Sequence, residues 1–324
     1  MRHRVRPQIS IGLGVLAMAL GGVQIAQSRA AFTSAPPGTQ TTAAPPAVQI
    51  TQHDVGNIVL GIQNNGTFGD YDNNKGPDVF TGGPVKACEF PKGSDSRYLY
   101  AGAFWIGAVS GRDTLVSVGA DGWRNQHEMF PEQAGLGEIR YRSITDPSKP
   151  EFDGAISEED FVAVYYDTCT RDCPGLGNDV TDGRPHRPLN IEVTQRSFAW
   201  SYSYAQNFVL FDYAIKNIGR NRLKRVYMGI YVDADVYTTT NENNGAQDDI
   251  CGFRRSLPAW YAPSGSGWED TVNVAWIADN DGDLKSSPPL GPVPNVTGTR
   301  IVRTPSDSLE VSFKWLISNT DALQ

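Results

Sequence analysis

From about residue 51 onward, apolar residues recur at every second position in short runs. Amphipathic spacing of three and four residues is not sustained over the length of an ordinary helix. The runs are rich in aromatic and β-branched residues and are separated by Gly, Pro, Asn and Asp, the residues turns are made of. Strands are predicted over 57–63, 98–109, 114–118, 161–166, 271–278, 298–303 and 308–318, with one helical turn at 157–160. About ten short strands with turn signals between them predict an all-β, antiparallel β-sandwich with long irregular loops.

The chain is organised around residues 197–236, which read as three consecutive strands. In the first, Phe198, Trp200, Tyr202 and Tyr204 alternate with Ser197, Ala199, Ser201 and Ser203. In the second, Val209, Phe211, Tyr213 and Ile215 share a face. In the third, Val226, Met228, Ile230 and Val232 are expected to face the core, with Tyr227, Tyr231, Asp233 and Asp235 opposite. A slip of one residue would bury the two aspartates, so the pattern specifies the register.

The N-terminus departs from this texture. Arg2, Arg4 and Arg6 precede an apolar run over 9–20, and Ser28 and Ala30 supply small residues where a signal peptidase reads. Residues 1–30 are therefore expected to be a signal peptide; the alternative is an uncleaved anchor helix extended through Val23 and Ile25. Residues 31–50 are Ala/Thr/Pro-rich and uncharged, a disordered linker. The sandwich region is then 51–324, with no transmembrane segment after cleavage.

The 324-residue chain has 28 basic residues, 36 acidic residues and a net charge of −8. Cleavage removes four arginines and no acid, which takes the net charge to −12. An acidic exported protein is ill-suited to nucleic acid or anionic lipid and suited to calcium or to strong hydration.

Export also changes the meaning of the four cysteines, Cys88, Cys169, Cys173 and Cys251. An even number outside the cytosol favours disulfides, and four allow three connectivities. Cys169 and Cys173 are spaced to close a small loop; the alternative is a zinc site with His186.

The strongest candidate chemistry is acidic. Asp279, Asp281 and Asp283 occupy positions 1, 3 and 5 of a turn with Gly282, and calcium takes six to eight hard oxygens from such loops. The loop is not an EF-hand, because Leu284 and Leu290 stand where glycine and an acid are required. Asp233, Asp235, Asp248 and Asp249 are the natural suppliers of the remaining ligands. The stretch 70–74 is a weaker cluster of the same kind. Trp260, Tyr261 and Trp268 share one loop and are candidate stacking residues for a sugar. Asn65 and Asn295 begin formal glycosylation sequons. No Gly-x-Ser-x-Gly element, metalloprotease His pair or phosphate-cradling glycine loop occurs, so no catalytic residue or cofactor site is assigned and the chain reads as non-enzymatic.

Several stretches together resemble one group of proteins: NNGTFGDYDN, YLYAGAFWIGAVSGRDTLVSVGADGW, VTQRSFAWSYSYAQNFVLFDYAIKNIG, LKRVYMGIYVDADV and AWIADNDGD. This texture is similar to uncharacterised exported proteins of Bacteroidetes-related and candidate-phylum bacteria, which often carry a C-terminal type IX secretion sorting domain. The resemblance implies a secreted, extracellular or cell-surface location and no particular activity. The sequence given ends at Gln324 with no sorting domain, so either the protein lacks one or the chain is a fragment.

The expectation is a structural or binding protein, calcium-stabilised. The alternatives are a carbohydrate-binding or glycoside-cleaving module, with polysaccharide as partner, and a subunit of an assembly with other surface proteins.

Overall fold

The computed structural model describes residues 47–69, 76–120, 126–133, 135–178, 183–238, 248–280, 291–306 and 308–315. The expected signal peptide, most of the linker, the 70–74 cluster, Asp281 and Asp283 lie outside them.

The described residues form an antiparallel β-sandwich with a third, smaller sheet at one end. The first sheet holds β1 (Ile50–His53), β2 (Val59–Gln63), β3 (Thr67–Phe68), β4 (Cys88–Glu89), β5 (Ser96–Arg97), β6 (Ala101–Ser110) and β7 (Asp113–Val118). It is completed by β13 (Leu223–Asp233) and β14 (Tyr237–Thr238). The second holds β8 (Phe130–Pro131), β9 (Arg140–Arg142), β10 (Glu159–Tyr166), β11 (Ile191–Ala199) and β12 (Leu210–Asn217). The third is β15 (Ile250–Pro258), β16 (Glu269–Ala278) and β17 (Val296–Arg300). Helix is confined to one 3-10 turn, Pro150–Phe152, among the described residues.

The core lies between the first two sheets in two clusters. In one, Leu60, Ile62 and Phe68 of the first sheet meet Phe161 and Ala163 of the second. In the other, Phe104, Ile106 and Ala108 meet Tyr165, Ile191 and Val193. Each fully buried side chain of this kind contributes about 1.5–3 kcal/mol. Ile277 and Val293 carry the third sheet onto the first cluster.

The central stretch folds differently from its pattern. The strand predicted from the aromatic alternation ends at Ala199, and residues 202–207 form turns. Tyr202 and Tyr204 are exposed there and stacked, with ring centroids 5.6 Å apart. The true strand is 191–199, and its inward face mixes apolar Ile191 and Val193 with polar Gln195 and Ser197. Those polar residues are satisfied: Tyr165 Oη donates to Gln195 Oε1 at 3.1 Å, and Ser197 Oγ bonds His53 Nε2 at 2.8 Å. A partner 144 positions away in sequence makes a polar side chain fit a core position, and no local pattern reveals that.

The second strand behaves as predicted. Phe211, Tyr213 and Ile215 pack against the core from β12. The third is mixed. Ile230 and Val232 reach the core, but Val226 and Met228 remain 43% and 42% exposed. A bulge between Lys224 and Tyr227, with Arg225 at φ 48°, breaks the alternation, and among the described residues β13 has β6 as its one neighbour. Two further expectations change. The turn at 157–160 is not helical; Asp160 accepts from Ile156 N and Ser157 N, both at 2.7 Å, as β10 begins. Residues 308–315 form no strand, although Phe313 stacks on Phe253 at 5.4 Å.

Two buried polar groups tie the sheets together. Asp167, directly after β10, accepts from Ser117 Oγ of β7 at 2.7 Å, Leu189 N at 2.6 Å and Ile191 N at 2.8 Å. His53 of β1 bonds Ser197 of β11 and Glu159 of β10. Burial raises the Asp167 carboxyl above its usual range despite these three donors.

Asp167→Ala would strand all three donors in the interior. At about 1–3 kcal/mol for each unpaired buried group, we expect a loss of roughly 3–5 kcal/mol by urea denaturation. A midpoint unchanged from wild type would show that Asp167 does not hold the sheets together.

Candidate functional site

The sequence-predicted acidic residues converge in part. Beyond β13 the chain places Asp235 and then Val236, a fully buried core residue. Asp248 and Asp249 lead into β15, and Asp279 follows β16. Antiparallel pairing opposes Ile250 and Ala278, which brings the start of β15 beside the end of β16.

Asp249 Oδ2 accepts from Val236 N at 2.8 Å, and Asp279 Oδ2 accepts from Val293 N at 2.7 Å. Asn295 Nδ2 donates to Tyr98 Oη at 3.2 Å, and Thr297 Oγ1 donates to Tyr98 O. The carboxylates therefore sit where the third sheet docks on the sandwich.

Asp249 is the focus of this junction. Burial pushes its carboxyl up to about 8; the Val236 N–H opposes this, and the charges of Asp235, Asp279 and Asp248 reinforce it. Its second oxygen, Oδ1, is buried and has no hydrogen-bond partner among the described residues. Asp233, expected at the site, is engaged differently: Tyr231 Oη donates to its Oδ2 at 3.2 Å, and burial raises its carboxyl. Among the described residues no three His, Cys, Asp or Glu side chains converge closely enough to hold a metal by themselves. Asp281 and Asp283, the expected additional ligands, lie outside the described residues.

The candidate aromatic residues sit at the tip of the β15–β16 hairpin, where Ala259 N donates to Trp268 O at 2.9 Å. Trp260 is 90% exposed, and Tyr261 and Trp268 are each 60% exposed, so none of the three caps the core. Tyr261 Oη is held by Asp270 Oδ1 at 2.8 Å.

The cysteines resolve into one disulfide, Cys169–Cys173. Its sulfurs are bonded to each other, which overturns the zinc alternative; His186 is engaged by Glu128 and by Asp167 O. Cys88 and Cys251 are free, against the expectation of two disulfides. Burial, then Glu89, pushes the Cys88 thiol up to about 12, so it is inert at neutral pH. Cys251 is exposed. Asn65 is buried, and its Oδ1 accepts from Thr67 N, so the first sequon offers no glycan site in the folded protein.

One arrangement escaped the sequence reading. Ser197 Oγ lies 2.8 Å from His53 Nε2, and His53 Nδ1 lies 3.3 Å from Glu159 Oε2. This is the order of a Ser–His–acid triad. It is not catalytic, because Ser197 and His53 are both 0% exposed. Ser197 also lies inside a central strand paired with Phe161 and Phe211, so no carbonyl substrate reaches its Oγ. The three residues are 53, 159 and 197, a spacing that matches no motif.

The two histidine–carboxylate pairs differ in charge for a structural reason. Burial lowers the His53 pKa, and a neutral ring suffices: Nδ1–H donates to Glu159 while Nε2 accepts from Ser197. His186 is also buried, which works against charge, yet its pKa is raised by the Glu128 carboxylate at 2.9 Å and by Asp167. Both of its ring nitrogens face oxygens that only accept, Glu128 Oε1 and Asp167 O, so both must carry protons.

No protein-family model, curated protein or solved structure matches this chain.

The pH dependence follows with its sign. A histidine with a raised folded pKa contributes fully below 6.5 and loses that contribution as pH rises through its folded value. The stability gap between wild type and His186→Gln is therefore expected to be widest near pH 5.5–6 and to narrow above the raised value. Urea denaturation across that range measures it, and a gap that widens with pH would reverse the assignment of charge.

Proposed function

We propose that this is an exported extracellular or cell-surface protein of structural or binding type, without catalytic activity, in which a calcium ion fastens the third sheet to the sandwich. The observation that supports the metal is Asp249 Oδ1, a buried carboxyl oxygen without a partner among the described residues, at a junction with Asp235, Asp248 and Asp279. Oxygen-only donors suit a hard cation such as calcium. An ion there would neutralise a carboxylate whose burial otherwise favours its protonated form, and would complete the junction with Asp281 and Asp283 as additional ligands. The resemblance to exported, surface-associated bacterial proteins and the Cys169–Cys173 disulfide agree with an extracellular location. Among the described residues, the Ser197–His53 pair of the catalytic-looking constellation is fully buried, which favours the non-enzymatic reading.

A second reading, carbohydrate binding, is favoured by the exposure of Trp260, Tyr261 and Trp268 at one hairpin tip. Flat aromatic faces held in solvent offer apolar surface on which the C–H face of a pyranose ring stacks.

Saturating calcium at about a hundred times its Kd contributes roughly 2.7 kcal/mol, so the melting temperature is expected to rise by roughly 5–10 °C over that in chelator. Asp249→Asn should abolish this shift while melting no lower than wild type in chelator, because the amide keeps an acceptor for Val236 N and removes a carboxyl that burial forces to take up a proton. Identical melting with and without chelator would sink the calcium site.

For the second reading, affinity electrophoresis in gels containing a soluble polysaccharide is the measurement. Trp260→Ala and Trp268→Ala are each expected to weaken retention by up to about tenfold. Equal mobility of wild type and both variants in every polysaccharide gel would remove it.

A further inference from the structure

The face of the second sheet that points away from the core gathers three arginines. Phe161, Ala163 and Tyr165 of β10 are core residues, so Asp160 and Val162 take the opposite face. Strand register places Arg140 of β9 and Arg196 of β11 on either side of Val162. In the next row Arg142 of β9 lies opposite Asp160. Residues directly opposite one another share a face, so the three arginines project together. Strand geometry sets their Cα atoms about 7 Å apart along β9 and roughly 10 Å apart across β10.

The three side chains are held in different ways. Val162 is 8% exposed between Arg140 and Arg196, although it faces outward. Arginine stems cover apolar neighbours in this manner while their heads stay in water. Arg142 Nη1 donates to Gly154 O at 3.3 Å, and a Cβ on Gly154 would come within 2.6 Å of that nitrogen. Arg196 Nη1 lies 3.7 Å from Asp212 Oδ2, with the two side chains 47% and 57% exposed. An exposed pair at that distance holds weakly.

The acids on this face do not balance the arginines. Asp160 is buried, and its oxygens accept from Ile156 N, Ser157 N and Ser157 Oγ. Asp212 meets Arg196 alone. Arg140 and Arg142 form no ion pair among the described residues. Burial, then the charges of Arg142 and Arg196, lowers the Arg140 pKa. Three like charges are thus crowded on one rigid sheet face of a chain whose net charge is −8. An anion placed among them relieves the repulsion.

We propose that this arginine face binds a small, doubly charged tetrahedral oxyanion, phosphate or sulfate, free or as the ester group of a small molecule. Guanidinium forks match the oxygens of such a group, and three forks are served by a tetrahedral ion better than by the two oxygens of a carboxylate. The acidic chain as a whole repels an extended polyanion, so the ligand is a small one.

The test is NMR titration of the full 15N-labelled chain at fixed ionic strength, following the arginine Nε–Hε signals. The ligands are phosphate, sulfate, glucose 6-phosphate and glucose 6-sulfate, with acetate as the control. At least one of the four is expected to saturate with a Kd below ~5 mM, with acetate at least tenfold weaker; the tightest of them tells free ion from ester and phosphate from sulfate. Arg196→Gln, at an exposed position, should weaken that ligand at least tenfold. Asp212→Asn should tighten it, by up to about fivefold, because it removes the carboxylate that competes for Arg196. Arg303→Gln, beyond β17, should leave the affinity unchanged. The proposal is overturned if none of the four saturates, if acetate binds as tightly, if Arg196→Gln retains wild-type affinity, if Asp212→Asn weakens binding, or if Arg303→Gln weakens it as much as Arg196→Gln.

Discussion

The structure depends on placing polar groups inside the sandwich and satisfying them across it. Asp167 is the clearest case. It follows the last residue of β10, lies in the interior, and takes hydrogen bonds from β7 of the opposing sheet and from the segment that opens β11. Apolar contacts between the sheets are non-directional and tolerate sliding. A carboxylate with three fixed donors does not, so it sets how the sheets lie over each other. His53 and Ser197 make a second such tie, and Tyr165 with Gln195 satisfies a third inward polar group within the second sheet. The buried polar residues thus act as locating pins in a core whose bulk stabilisation is hydrophobic.

A few buried polar atoms are left out of this scheme. Most buried polar atoms in this molecule are paired, so the exceptions carry information. Asp249 Oδ1 and Gln63 Nε2 are two of them, at opposite kinds of site. The first is an acceptor on a carboxyl group beside Asp235, Asp248 and Asp279. The second is an amide donor at the end of β2. The Ser197–His53–Glu159 arrangement is the reverse case. Ser197 and His53 are bonded to each other and fully buried, so a geometry associated with catalysis serves the core instead.

Much of the candidate site was legible in sequence, and its limits are physical. Asp235, Asp248, Asp249 and Asp279 were all identifiable as carboxylates near strand ends, and antiparallel pairing of β15 with β16 was enough to bring the last three together. An alternating pattern tells which face a side chain takes and not which neighbour it meets, so the bond from Tyr231, two residues away on the same face, to Asp233 could not be read from it. The exposure of Trp260 and Trp268 likewise could not be read from composition, because a loop tryptophan covers the core in one fold and stands in solvent in another. Gln63, whose Nε2 is unpaired among the described residues, carried no signal: it is one polar residue at a strand end.

The sequence by itself determined the class of fold. Period-two alternation, Gly/Asn/Asp turns and the lack of sustained helical spacing are local properties, and the antiparallel β-sandwich follows from them. It also determined the face taken by β12, where Phe211, Tyr213 and Ile215 are unambiguous. Only the tertiary structure decided where β11 runs. Its inward face contains Gln195 and Ser197, and polar residues become acceptable core residues only when a distant strand supplies Tyr165 or His53. It also decided the charge of each histidine. The sequence offers the same imidazole at 53 and 186, and the second nitrogen's partner, a hydroxyl in one case and a carbonyl in the other, determines whether the ring stays neutral or takes a proton.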